Sequence, residues 1–208
     1  MSQNTNERRK RPSPAVPLPC MDDLQGSLAH AWELLQRGAT DRRSPFHIGT
    51  VATVDEDGHP RARGVVLRDC NPEEQWLRFN TDRRSPKMIQ MAANPEAAML
   101  FYDEKAKVQL RLRVRLEPMD TETVAKVWER TPSYSRKCYQ VTQAPGTAIS
   151  QPSDVVFDAE STEDGEPNFA PIRARVESME WLYLAAKGHR RARFEFDGAE
   201  AKAQWLVP

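Results

Sequence analysis

From Val108 to Leu116 the chain is apolar at every second position: Val108, Leu110, Leu112, Val114 and Leu116. Successive side chains of an extended strand point to opposite faces, so this period of two commits the segment to a strand. One face is dry; the other carries Gln109, Arg111, Arg113 and Arg115. That arginine row reads either as a solvated strand face or as a polar face that meets a ligand or a second subunit.

The rest of the chain supplies partners for such a strand. HIGTVATV and RARGVVLR are strand-like runs joined by DEDGHP, and Asp57-Gly58 between them is a hairpin signal. QWLRFNT follows the turn NPEE as a third strand, AAMLFYD pairs into a hairpin with the alternating segment, and IRARVESMEWLYL to the C-terminus gives two or three closing strands with Gly198 in a turn. Helices are fewer. Leu24, Leu28, Ala31, Trp32 and Leu35 recur at helical spacing, predicting a helix over Asp22–Arg37 with Gly38 after its end. KMIQMAANP and TETVAKVWERT are short helices, and residues 132–171 form a long polar loop. With no repeating βαβ pattern, the order predicts a mainly β fold with peripheral helices, an antiparallel sheet or small closed barrel. Residues 21–208 are one domain. Residues 1–20, with a basic RRKR cluster and four prolines, read as a flexible arm.

Composition narrows the function classes. Lys plus Arg and Asp plus Glu both number 30, so the formal net charge is zero, which argues against nucleic-acid binding by bulk charge. Cys20, Cys70 and Cys138 form no C-x-x-C pair and read as reduced thiols of a cytosolic protein. No run of about 18 apolar residues is present to cross a membrane. A GxGxxG fingerprint, a P-loop, an H-E-x-x-H pair, a zinc-spaced Cys/His cluster and a G-x-S-x-G elbow are all missing, and no metal site is expected. The four histidines are isolated in sequence and read as structural, with His189 in KGHRRARF set apart.

What remains is arginine. TDRRSP occurs at Thr40–Pro45 and again at Thr81–Pro86. The first copy leads into a strand and reads as a connector with solvated arginines. The second ends a strand and opens a helix, with Ser85 as N-cap and Pro86 at the first helical position. Free backbone N–H groups and the positive end of the helix dipole converge there, and Arg83, Arg84 and Lys87 add charge, an arrangement suited to phosphate. In RGVVLR, Arg63 and Arg68 flank an apolar core, and Gly64 would let a planar group approach the backbone.

RGVVLR, FNTDRRSPKM, the strand bearing Gln109 and HRRARF, in that order, resemble the pyridoxamine 5′-phosphate oxidase-like family of FMN-binding split barrels, over about Pro45–Pro208. The resemblance implies an antiparallel split β-barrel with FMN at the interface of a homodimer. It implies that Arg63, Gly64, Val65, Val66, Leu67 and Arg68 run along the flavin, with Arg63 on its phosphate. Asn80 and Thr81 match a polar pair at the next strand end, and Ser85 and Lys87 a phosphate-gripping helix start. Pro86 replaces a residue that is often arginine, leaving that contact absent or supplied by Arg84. Gln109, Gln143, Tyr183 and Arg193 match flavin contacts. On the substrate side, Arg68, Ser135, His189 and Arg191 would hold an anionic group. Here the family's Arg-x-His order is exchanged at His189 and Arg191. Val127 and Thr131 stand where the oxidases have a tyrosine and an arginine, and Arg130 lies one residue away. The implied function is an FMN-dependent oxidoreductase of a small anionic substrate, with no residue assigned as catalytic. A second reading is an FMN carrier or sensor without pyridoxamine phosphate oxidase activity. A third, a nucleic-acid-binding barrel using Arg111, Arg113 and Arg115, is weakened by the zero net charge and by the lack of interleaved aromatics.

Overall fold

The computed structural model describes residues 18–157, 162–198 and 201–208. The arm expected over residues 1–20 lies outside them as far as residue 17. Leu18, Cys20 and Met21 pack against the core.

Helix α1 (Leu24–Thr40) is capped by Asp23, whose carboxylate accepts from the backbone N–H groups of Gln25 and Gly26. It buries Ala31, Trp32 and Leu35, as the spacing required. It does not stop before Gly38. A Cβ there would stand 2.5 Å from the Phe46 carbonyl oxygen, so this glycine serves a close backbone approach inside the helix, not its end.

Eight strands follow: β1 (Ile48–Val54), β2 (Pro60–Asn71), β3 (Trp76–Asp82), β4 (Glu96–Asp103), β5 (Val108–Pro118), β6 (Phe169–Tyr183), β7 (Arg190–Phe196) and β8 (Ala201–Leu206). They hydrogen-bond in the order β3-β2-β1-β4-β5-β6-β7-β8, every pair antiparallel. β6 also returns to pair with β3, closing the first six into a barrel. β6 opens the barrel at one corner, because Phe169–Arg175 pair with β3 whereas Ser178–Tyr183 pair with β7. The fold is therefore the mainly β split barrel that the sequence implied.

The alternation in β5 appears as expected: Val108, Leu110, Leu112, Val114 and Leu116 are buried, and the residues between them are not. They meet Phe46, Phe79, Phe101, Trp181 and Phe194 in one core. Each fully buried Leu or Phe contributes about 1.5–3 kcal/mol relative to exposure, so this core dominates the barrel's closure.

Two strands break their period. The β2–β3 register shifts between Leu67 and Asp69, which makes Arg68 the extra residue of a bulge. The β5–β6 register shifts between Arg113 and Val114, placing Glu177 in a second bulge. Helix α2 (Pro86–Ala93) joins β3 to β4, and α3 (Thr121–Glu129) follows β5. Val124 and Trp128 of α3 pack on Phe169 in a separate small core. The long loop contains the short helix α4 (Ser133–Arg136), several 3-10 turns and a bridge between Val141 and Phe157. Among the described residues, no helix is long and apolar enough to cross a membrane.

Candidate functional site

The second hexapeptide builds a cationic cradle. Thr81 ends β3 facing inward, and Ser85 precedes α2. Lys87 Nζ donates to Thr81 Oγ1 at 2.7 Å and to Ser85 Oγ at 3.0 Å. Ser85 makes no side-chain cap to α2, so its hydroxyl is committed to this group instead. Arg63 comes from the inner face of β2, donating to Thr53 Oγ1 at 2.7 Å and Gln90 Oε1 at 3.1 Å. Thr53 itself donates to Gln90 Oε1 at 2.6 Å. Burial, then the nearby Arg63 charge, lower the Lys87 pKa, with Asp82 opposing. Burial also lowers that of Arg63. Neither cation has a carboxylate partner among the described residues, since Asp82 is held by Arg84 at 2.8 Å. Two cations near one another, bound only to neutral oxygens at a helix start, are chemically suited to receive an anion.

Arg84 is not available to that site. Beyond Asp82, it donates to the carbonyls of Thr142 and Val141 at 3.0 and 2.9 Å, pinning the long loop to the barrel. The contact expected to be absent or taken over by Arg84 is therefore not supplied by it.

On the outer face of β2 and β3 lies a cavity of about 440 Å³, roofed by α3 and α4. Arg68, outward by the same alternation as Gly64 and Val66, enters its lining, where it meets Arg78, Asn80, Arg130, Ser135 and Arg173. Asn80 and Thr81 thus serve different places, because adjacent strand residues point to opposite faces. Asp69 is the one acidic residue in the lining, and it pairs with Arg78 at 3.3 Å.

A third group occupies the outer face of β5, β6 and β7. The Glu180 carboxylate receives Arg191 at 2.7 Å, Arg193 at 2.7 Å, and Arg111. Burial alone would raise the Glu180 pKa, but hydrogen bonds from Arg193, Arg191 and Arg111 bring it down to about 2. Gln109 lies on the same face, paired across the sheet with Leu182.

The remaining expected residues scatter. Val65 and Leu67 face the core, while Gly64 and Val66 face outward. At Gly64 a Cβ would meet only Ile48 Cγ2, at 3.5 Å, so packing within the chain does not demand a glycine there. The Tyr183 ring, expected beside the flavin, is in the core 6.0 Å from that of Trp181; Leu182 takes the outward position instead. Gln143 is tied into its own loop, donating to the Asp154 carbonyl at 2.6 Å and accepting from the Val156 N–H. His189 is exposed and stands apart from the cavity lining. In the first hexapeptide, Arg43 is solvated as expected, but Arg42 lies over the Tyr134 ring and donates to its hydroxyl. Asp55, Asp57 and His59 converge in the β1–β2 turn, where Asp55 accepts from the N–H groups of Asp57 and His59 and from Arg61.

Sequence reasoning missed Thr53, Gln90, Glu180, Arg78 and Arg173. Gln90 lies five residues after Ser85 and faces inward on α2, a weak signal. Arg78 and Arg173 meet only because β3 closes onto β6, and nothing local announces that register.

Residues 29–119 match the family model described as the pyridoxamine 5′-phosphate oxidase FMN-binding domain. A pyridoxine/pyridoxamine 5′-phosphate oxidase of Pseudomonas paraeruginosa is 36% identical over 87 residues, 42% of this chain and 40% of that protein. The match thus spans less than half of that relative's length. The corresponding oxidase of Polynucleobacter asymbioticus is 27% identical over 168 residues, 76% of this chain and 78% of that protein. Among solved structures, a pyridoxamine 5′-phosphate oxidase-related, FMN-binding protein from Nostoc punctiforme superposes with a TM-score of 0.71 at 20% identity, covering 92% of this chain and 98% of its own. PhzG from Burkholderia lata, solved with tetrahydrophenazine-1-carboxylic acid, gives 0.70 at 20% identity, covering 94% and 100%. At these identities the structural likeness establishes the fold.

Proposed function

We propose that the chain is an FMN-dependent oxidoreductase acting on a small anionic substrate, a reading supported by the match of residues 29–119 to the FMN-binding domain of the pyridoxamine 5′-phosphate oxidase family. The observation that carries this reading is the cradle of Arg63 and Lys87, two neighbouring cations without a carboxylate among the described residues, the first held by Thr53 and Gln90 and the second by Thr81 and Ser85. A phosphate monoester is the complementary group. In this reading Arg63, Thr81, Ser85 and Lys87 hold the FMN phosphate, and Gln90 and Thr53 fix the Arg63 guanidinium. Gly64 and Val66 offer a flat outer strand to the ring system. Bound FMN would supply hydride or electron transfer, and the protein's part is binding and orientation. Arg68, Arg130 and Ser135 would hold the substrate's acidic group in the neighbouring cavity, replacing the tyrosine and arginine absent at Val127 and Thr131. PhzG, with its carboxylic-acid ligand, supports an anionic substrate by analogy of fold.

The same reading calls for two copies of the chain. Gly64, Thr50, Leu100, Arg111, Glu180 and Arg193 form one cross-strand row on the outer face. Five strand spacings separate Gly64 from Arg193, about 24 Å along the sheet, so one flavin ring cannot touch both in one chain. A homodimer that lays the β5–β7 face of one copy over β2 of the other joins them in one site. An FMN carrier or sensor remains the second reading, favoured by Arg191 being engaged with Glu180 and by His189 standing outside the cavity.

FMN titration followed by quenching of flavin fluorescence tests the binding step. Saturable binding with yellow absorbance of the purified protein is expected, and no affinity for FMN overturns the reading. Anaerobic mixing of the loaded protein with candidate donors, pyridoxamine 5′-phosphate included, then separates enzyme from carrier. Bleaching of the flavin by a donor supports the oxidoreductase, and none supports the carrier.

A further inference from the structure

The floor of the cavity carries charge that the single acidic group assigned above does not use. Arg78 and Arg173 are directly opposed across the β3–β6 junction. Like charges at such positions destabilise a sheet unless something neutralises them. Asp69 answers Arg78, with Asn80 Oδ1 accepting from it at 3.1 Å, but no carboxylate answers Arg173 among the described residues. Its Nε is buried without any hydrogen-bond partner, and its guanidinium lies 5.6 Å over the Trp76 ring, another wall of the cavity. At the rim, Arg68 and Arg130 also lack carboxylate partners among the described residues; burial first, then these two charges, lower the Arg78 pKa, with Asp69 opposing. One monoanion cannot balance three unanswered guanidinium groups set on two walls.

We propose that the substrate of this cavity bears two separated acidic groups, one at the rim with Arg68, Arg130 and Ser135, the other at the floor with Arg78 and Arg173. The inference rests on the cavity being the substrate site, and it adds the class: a compact diacid, with carboxylates at both ends or a phosphate at one. Arg173 is then the specificity-determining residue, and Trp76 is a flat wall for the body between the two groups.

The test uses full-length protein, both FMN-loaded and FMN-free, titrated calorimetrically at low salt with two pairs of probes. These are benzoate against isophthalate, and phenyl phosphate against 3-carboxyphenyl phosphate. The diacid of at least one pair should bind about tenfold or more tightly than its monoacid, and the pair showing the larger gain identifies the rim group as carboxylate or phosphate. Arg173→Met should abolish the gain while leaving the monoacid affinity within about twofold, and Arg173→Lys should retain part of it. Should Arg173→Met fail to fold, Arg78→Gln reads the same loss. Equal affinity for mono- and diacids, an equal loss of both in Arg173→Met, or no binding of any probe overturns the proposal. FMN affinity is measured separately by fluorescence, so failure of the flavin reading is seen independently of the diacid preference.

Discussion

At Lys87 three groups meet: the Thr81 and Ser85 hydroxyls accept its protons, and Arg63 adds a second positive charge. Lys87→Ala should weaken FMN binding by about 1–3 kcal/mol, the range for a charge-assisted hydrogen bond, read as a shift in the fluorescence-quenching midpoint. Replacing both Arg42 and Arg43 by alanine should leave that midpoint unchanged, since Arg43 is solvated and Arg42 is occupied with Tyr134. An equal loss from the two changes would show that both hexapeptides bind the phosphate. Glu180 gives a pH signature. Its pKa falls from the usual 4.5 to about 2 in the folded protein, so its three-arginine contact stabilises the fold fully above pH 4.5. That contribution fades as pH drops from 4.5 toward 2. Glu180→Gln should flatten this acid limb in denaturant midpoints measured between pH 5 and 3, and an unchanged limb would place acid sensitivity elsewhere.

At the scale of elements, the two copies of TDRRSP share one backbone design. In each, the aspartate accepts the N–H two residues on, at Arg43 and Arg84, and a Ser-Pro pair starts a helical turn. Pro45 therefore does open a helical turn before β1, a single 3-10 turn over Pro45–His47, where a direct lead into the strand was expected. The division comes at the serine. Ser44 Oγ caps its own turn through the Phe46 N–H, whereas Ser85 Oγ is given to Lys87. Helix α1 shows a second displaced boundary, and Gly38→Ala tests its cause. The added methyl meets the Phe46 backbone and should cost about 1–3 kcal/mol of stability by overpacking, read as a lowered midpoint in urea. A neutral or stabilising effect, as expected for an exposed helix end, would contradict this account. In β6 the bulge at Glu177 exchanges the two faces: Ala174 and Val176 are buried before it, Met179, Trp181 and Tyr183 after it. A one-residue slip of this kind moves Tyr183 into the core and Leu182 to the outer face, and a count of sequence positions does not register it.

For the whole molecule, the outer face of β1 and β4 leaves Ile48, Leu100 and Tyr102 exposed beside Gly64 and Val66. An apolar patch flanked by the Glu180 arginines fits self-association. The protein should sediment as a dimer. Leu100→Asp should give a monomer with an unchanged circular dichroism spectrum and weakened FMN binding, whereas a variant that binds FMN normally as a monomer would remove the two-copy site. The strand alternation, the turn signals and the Ser85–Lys87 helix start were all legible in the sequence, because each follows from residues a few positions apart. They determined a mainly β barrel with a cationic helix start at Ser85–Lys87. Closure of β6 onto β3, which sets Arg78 against Arg173, and the bulge that turns Tyr183 inward were decided only in the tertiary structure. The closure depends on register between segments about a hundred residues apart in the chain and the bulge on register between β5 and β6, and strand pairing at such range is fixed by the packing of the whole core, not by local preference.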